Sequence, residues 1–391
     1  MTHFISGNQI KLLRNGAEYF PALEAAIENA EHEVYLQTYI YEADETGQRI
    51  GHALKLAAQR GVNVNVLLDG FGCKDLSKDY VHELETAGVH VIFYRPKISP
   101  WTLKKSRLRR LHRKVAVIDN TIGFVGGINI IDDYHVPHNA PPRIDYAVRV
   151  EGALLPIIAA SVHNLWRRIA WAHLQHAMTT IRKPAPHFPL HHISQASAYN
   201  IKAAFVVRDN LLHRRDIEQA YLSAIQHAKS EIILANAYFV PGRKFRKALI
   251  DAAQRGVSVK LLLQGRREYF LMFATHAFYS VFLKNGIEIY EYRKSFMHSK
   301  VAVIDRHWAT VGSSNIDPFS LLLGHEANIL VQNAHFADEL RASIISSMNE
   351  GAYFISHQEW ARGNIAKRFI SWIAYGLVRA LLGLIGYSSE K

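Results

Sequence analysis

The chain has 391 residues, 49% of them hydrophobic and 20% charged, with a formal net charge of +12. That balance excludes a disordered chain, allows one or two well-packed domains, and favours anionic partners, either nucleic acid or an anionic membrane surface. Cys73 is the only cysteine, so neither an intramolecular disulfide nor a cysteine metal cluster can form.

The amino terminus, MTHFISGNQIKLLRNG, lacks the charged-then-apolar run of a signal peptide. From Ala26, AIENAEHEVYLQTYIYEAD reads as an amphipathic helix and then a strand with little polar interruption. From Ala57, AAQRGVNVNVLLDG reads as a helix end, an Arg-Gly stop and an apolar strand. Between Arg95 and Lys114 come nine Lys or Arg residues and no acid, interleaved with Ile98, Trp101, Leu103, Leu108 and Leu111. This run leads into LHRKVAVIDNTIGFVGGIN, from Leu111 to Asn129: a strand, a turn, a second strand and a glycine pair. Leu154 to Gln175 predicts a long amphipathic helix whose Trp and Leu stripe packs inward. The polar, Pro-containing segment from Arg182 to Asn200 predicts a join.

Beyond the join the chain repeats itself in order. AIQHAKSEIILANAYFVPG from Ala224, AAQRGVSVKLLLQG from Ala252 and MHSKVAVIDRHWATVGSSN from Met297 match the earlier segments. The chain is a tandem duplication, and each half alternates helices with near-continuous apolar strands, which predicts an α/β fold with a mixed sheet covered by helices. The tail, KRFISWIAYGLVRALLGLIGY, sets Phe369, Trp372, Ile373, Gly376, Leu377, Ala380, Leu381 and Leu384 on one helical face. Lys367, Arg368, Ser371 and Arg379 lie off that stripe, and Arg379 in its middle favours a helix lying in a membrane interface over one that spans. Packing on the protein's own core is the alternative.

Residues two apart on a strand share a face, so His112 projects with Lys114, and His298 with Lys300. Both copies keep the spacing H-x-K-x4-D-x6-G-[GS]-x-N, which ends at Asn129 and Asn315. Duplication alone can preserve an apolar pattern; paired polar residues at identical spacing point to a site that needs both sets. Asp119 and Asp305 complete the motif and count with it as candidate catalytic groups, but their place in a turn favours a structural carboxylate that accepts hydrogen bonds.

This double motif resembles the phospholipase D superfamily, in which paired H-x-K-x4-D motifs from two similar halves meet in one active site. The resemblance runs from about Asn8 to Phe354. NAYFVPG, SSNIDPFSLLLGHEANILV and the basic run entering HRKVAVID are similar to stretches of bacterial cardiolipin synthases. It implies the phospholipase D fold: two similar α/β/α sandwich halves with pseudo-twofold symmetry, residues 1–181 and 201–356, around a linker at 182–200 and before a membrane-interface segment at 357–391. It implies His112 as nucleophile, His298 as acid and base, Lys114, Lys300, Asn129 and Asn315 as groups that hold phosphate oxygens, and Asp145 and Glu326 as acids that orient the histidines. No metal or other cofactor is expected.

The expected activity is cardiolipin synthesis from phosphatidylglycerol, through a phosphohistidine, by a monomer peripheral to the cytoplasmic face of an inner membrane. A phospholipase D that passes the group to water is the alternative. A nuclease is disfavoured because the terminal stripe has no task on nucleic acid, so no nucleic-acid partner is expected. A silent membrane scaffold would not keep both motifs.

Overall fold

The computed structural model describes residues 2–96, 109–135, 142–174, 200–209, 212–266, 270–362, 371–377 and 380. Most of the basic run, the linker and much of the tail lie outside them. The first half contributes strands β1 (Ile5–Arg14), β2 (Glu33–Thr38), β3 (Asn63–Asp69), β4 (His90–Tyr94), β5 (Arg110–Leu111), β6 (Lys114–Ile118), β7 (Ile122–Gly126) and β8 (Tyr146–Gly152). The second half contributes β9 (Ile201–Arg208), β10 (Glu231–Asn236), β11 (Ser258–Gln264), β12 (Glu288–Tyr292), β13 (Lys300–Ile304), β14 (Trp308–Gly312), β15 (Gly324–Gln332) and β16 (Ala352–Ile355).

The halves meet where β1 pairs antiparallel with β9, so one mixed sheet runs through the molecule. Read outward from that join, the order is β1-β8-β7-β6-β2-β3-β4 on one side and β9-β15-β14-β13-β10-β11-β12-β16 on the other. Within β2-β3-β4 and β10-β11-β12 the strands are parallel, with helices as crossovers; the strands between them and the join are antiparallel. The two orders mirror each other, which is the pseudo-twofold arrangement that a duplicated sequence builds.

Local sequence explains the frame. The helices Glu45–Gln59 and Arg243–Gln254 both end at an Arg-Gly pair, where Gly61 and Gly256 take φ values of +93° and +90° that stop the helix and turn the chain into the next strand. β6 and β13 are buried along their whole length, as their unbroken apolar runs require. One core cluster crosses the molecular axis: Val115, Val125 and Val148 join Val301, Val311 and Ile329, flanked by Ile158 from the helix Leu155–Leu174 and Ile344 from the helix Ala334–Gly351. Among the described residues no helix is long and apolar enough to cross a membrane.

Candidate active site

Each motif enters its strand leaning on the other half. β5 pairs in parallel with the start of β15, and His112 N donates to His325 O at 3.0 Å. The mirror contact is a parallel bridge between Met297 and Ile144, with His298 N donating to Ile144 O at 2.7 Å. The residue after each of these acceptors is an acid. His112 Nδ1 therefore lies 3.0 Å from Glu326 Oε2, and His298 Nδ1 lies 2.6 Å from Asp145 Oδ2. The pairs are crossed, each histidine bonded to the carboxylate of the opposite half. Bonding at Nδ1 fixes the ring and leaves Nε2 for chemistry.

The period of the strand places the rest. Arg113, between His112 and Lys114, points the other way, donating to Gln37 Oε1 at 2.6 Å and Ser161 Oγ at 2.9 Å. Lys114 and Lys300 are both buried; each ammonium donates back to the carbonyl of its own histidine, and Lys300 Nζ also lies 3.7 Å from Asp145 Oδ2. Asn129 is held by Ile40 N, which donates to its Oδ1 at 3.1 Å, while Asn315 Nδ2 lies 3.5 Å from Ser320 Oγ. The second position of the glycine pair differs for a steric reason. A Cβ at Gly127 would come within 2.3 Å of Asp145 Oδ1, whereas Ser313 donates its hydroxyl to Glu326 Oε2.

Asp119 and Asp305 stand apart from this cluster, and their inclusion among candidate catalytic groups is corrected. They sit past the far ends of β6 and β13, in turns where Asp119 and Asn120, and Asp305 and Arg306, all have φ near +50°. Asp119 accepts from the backbone N–H of Glu31, His32 and Glu33, each at 2.8 Å; Asp305 accepts from Lys229, Ser230 and Glu231 at 2.8 to 3.0 Å. Each ties its turn to the helix-to-strand corner beside it.

Three neighbours carry no signal in the motif spacing. The Tyr39 ring lies 4.8 Å from His112 with Lys114 Nζ 5.2 Å from its centroid, and Phe296 stacks on His298 at 6.1 Å. Asp69 accepts from Leu111 N at 2.7 Å and so holds the strand that presents His112. Tyr39 and Asp69 come from other strands of the duplicated set, where the matching residues are Ala237 and Gln264, so comparing the copies shows only that the positions differ.

The charges act as one cluster. Burial lowers Lys114 to about 7, with Lys300 pushing the same way. Burial likewise lowers Lys300 to about 8, against the pull of Asp145 and Glu326. His298 is lowered to about 3 by burial and by Lys300, with Asp145 opposing, and His112 is lowered by burial against Glu326. Asp145 is buried, which alone would raise it, but Lys300 and His298 hold it below the usual carboxylate range. Among the described residues no group of three or more His, Cys, Asp or Glu could hold a metal ion.

A family model described as cardiolipin synthase, PLD-like domain, matches residues 23–138 and 221–348, one span in each half. Cardiolipin synthase B of Escherichia coli (strain K12) is 40% identical over 343 residues, covering 86% of this chain and 80% of that protein. The chain belongs to the bacterial cardiolipin synthases of the phospholipase D superfamily. It is therefore an enzyme, a phospholipid phosphatidyltransferase. Cardiolipin synthase 1 of Bacillus anthracis is a more distant member, 32% identical over 324 residues, which are 81% of this chain and 62% of that protein. The crystal structure of phosphatidylserine synthase from Haemophilus influenzae Rd KW20 shares the fold at 13% identity, with a TM-score of 0.68 over 97% of this chain and 95% of that one. Both family spans end before the tail, which begins at residue 357.

Proposed function

We propose that this enzyme moves a phosphatidyl group from phosphatidylglycerol to the primary hydroxyl of a second phospholipid, releasing glycerol. The observation that carries the reading is the crossed histidine–acid geometry: two imidazoles with Nδ1 engaged and Nε2 unbonded among the described residues, beside two buried lysines. His112 Nε2 forms a bond to phosphorus as the bond to the glycerol oxygen breaks, and His298 gives that oxygen its proton. The second lipid's hydroxyl then returns a proton to His298 as its oxygen bonds phosphorus and the P–N bond breaks. Lys114, Lys300, Asn129 and Asn315 neutralise and hold the non-bridging oxygens.

Burial lowers both histidines, so the pKa pattern sets their common resting state and does not divide their roles. Without substrate, the lysines and burial keep both imidazoles neutral. A phosphodiester anion set between the lysines raises every pKa in the cluster, so its binding draws from solvent the proton that the leaving alcohol needs.

A peripheral seat on an anionic membrane, on the cytoplasmic face of the inner membrane, belongs to the same proposal. Residues 371–377 are helical, and Trp372, Ile373 and Leu377 are 54%, 47% and 51% exposed. The opposite face packs inward: Ser371 and Ala374 are buried, and Tyr375 lies 4.8 Å from Phe278 with Arg246 beside both rings. Trp372, Ile373 and Leu377 thus turn away from the protein, as an interfacial helix requires.

The test is the product. Phosphatidylglycerol vesicles should give cardiolipin and glycerol as main products, with phosphatidic acid minor, because a lipid alcohol competes with water only when held beside the intermediate. Chiefly phosphatidic acid would make the enzyme a phospholipase D.

A further inference from the structure

The halves are unequal beside their lysines. At the end of β2, Thr38 donates its hydroxyl to Ile40 O at 2.9 Å, and Ile40 N donates to Asn129 Oδ1. The Thr38 hydroxyl and Asn129 Oδ1 are thus satisfied within the first half. The duplicated positions are Asn236, at the end of β10, and Asn315. Asn236 is 1% exposed; its Oδ1 accepts from Ile316 N at 3.2 Å, but its Nδ2 has no partner among the described residues. Asn315 is 3% exposed, and its Oδ1 has none either.

Both amides connect to the motif of the second half through strand pairing and chain adjacency. Asn236 is directly opposite Lys300 across the β10–β13 ladder, a pairing that sets Cβ atoms about 5 Å apart on one face. Lys300 is two residues from His298, and Asn315 adjoins the Ile316 that Asn236 binds. A buried donor and a buried acceptor left together call for a ligand that can serve both. A phosphate oxygen can accept from Asn236 Nδ2, as from Asn315 Nδ2, but it has no proton for Asn315 Oδ1, and the two lysines already meet its charge. An alcohol both donates and accepts.

We infer that Asn236 and Asn315 form a hydroxyl-binding subsite on the His298 side of the paired motifs. It holds a spare hydroxyl of the glycerol headgroup and so positions the alcohol that His298 protonates. The inference rests on the phosphatidyl-transfer reading of the site and adds the headgroup class it selects.

Release of glycerol from phosphatidylglycerol and of ethanol from phosphatidylethanol in mixed vesicles, by the full chain, tests it. Phosphatidylethanol carries the same phosphodiester and no spare hydroxyl. The unmodified enzyme should favour phosphatidylglycerol in kcat/KM by about tenfold or more. Asn236→Ala and Asn236→Thr should bring that preference to within about twofold of unity, chiefly by losing phosphatidylglycerol turnover. The threonine copies Thr38, whose hydroxyl bonds its own chain two residues on, so it removes the free donor with least disturbance; thermal melts compare the folds. The subsite is overturned if the unmodified enzyme shows no preference, if the variants keep it (a structural water at the amides), or if both lipids are lost equally (Asn236 serving the phosphate). Alcohol release counts transfer to water and to lipid alike. Failure of the synthase reading, seen as phosphatidic acid in place of cardiolipin, therefore leaves this test standing.

Discussion

His112 and His298 are chemically alike in sequence, and their surroundings make them different. His298 shares its acid with Lys300, while the acid of His112 takes a hydroxyl from Ser313 instead. Replacing either histidine with Ala should lower activity roughly a thousandfold or more. After brief incubation with labelled lipid, the His298→Ala protein should retain label on His112; label found on His298 in the His112→Ala protein would reverse the roles. Asp145→Asn should cost about a hundredfold in kcat with a smaller change in KM, because it orients a ring and does not hold the lipid. The lysines give the pH dependence. A lowered lysine pKa means the proton is lost as pH rises, so the cradle is fully charged only well below 7 and loses its protons as pH climbs through about 7 and about 8. Binding of dimethyl phosphate, whose charge is fixed across that range, should weaken as pH rises and should take up protons near pH 7.5. Calorimetry in buffers of different ionisation enthalpy reads that uptake, and buffer-independent heats would refute it.

At the scale of elements, the turn aspartates and the terminal helix separate stability from activity. Asp305 satisfies three backbone donors at the corner between the helix Asp216–His227 and β10. Asp305→Ala should cost about 1–3 kcal/mol in urea unfolding and leave kcat on the folded protein within about twofold. A catalytic role would show the reverse, lost turnover at unchanged stability. Trp372→Ser with Leu377→Ser should weaken binding to anionic vesicles by about tenfold or more without lowering the melting temperature, since both side chains face outward. A large fall in melting temperature would mean that the stripe is core packing.

For the whole molecule, the crossed pairs make each half depend on the other for its acid. One chain supplies both motifs and both acids, so no second copy is needed to complete the site. Mixing the His112→Ala and His298→Ala proteins should accordingly restore no activity. Recovery toward a quarter of the normal rate would show that chains exchange halves to build the site.

Much of this was legible in the residues alone. Two copies of one ordered pattern of helix stops, apolar runs and H-x-K spacing determine a duplicated α/β fold, because strand alternation and glycine conformation are local properties. They also pick out His112, Lys114, His298 and Lys300, whose side chains share a strand face by a period of two, and the odd offset of Asp119 and Asp305 already points to a turn. The tertiary structure alone decided the partners. Which acid meets which histidine depends on β5 lying against β15 and on Ile144 bridging Met297, pairings between segments some 150 to 215 residues apart. No local period encodes contacts of that kind, and the unequal surroundings of Asn129 and Asn315 arise from the same long-range packing.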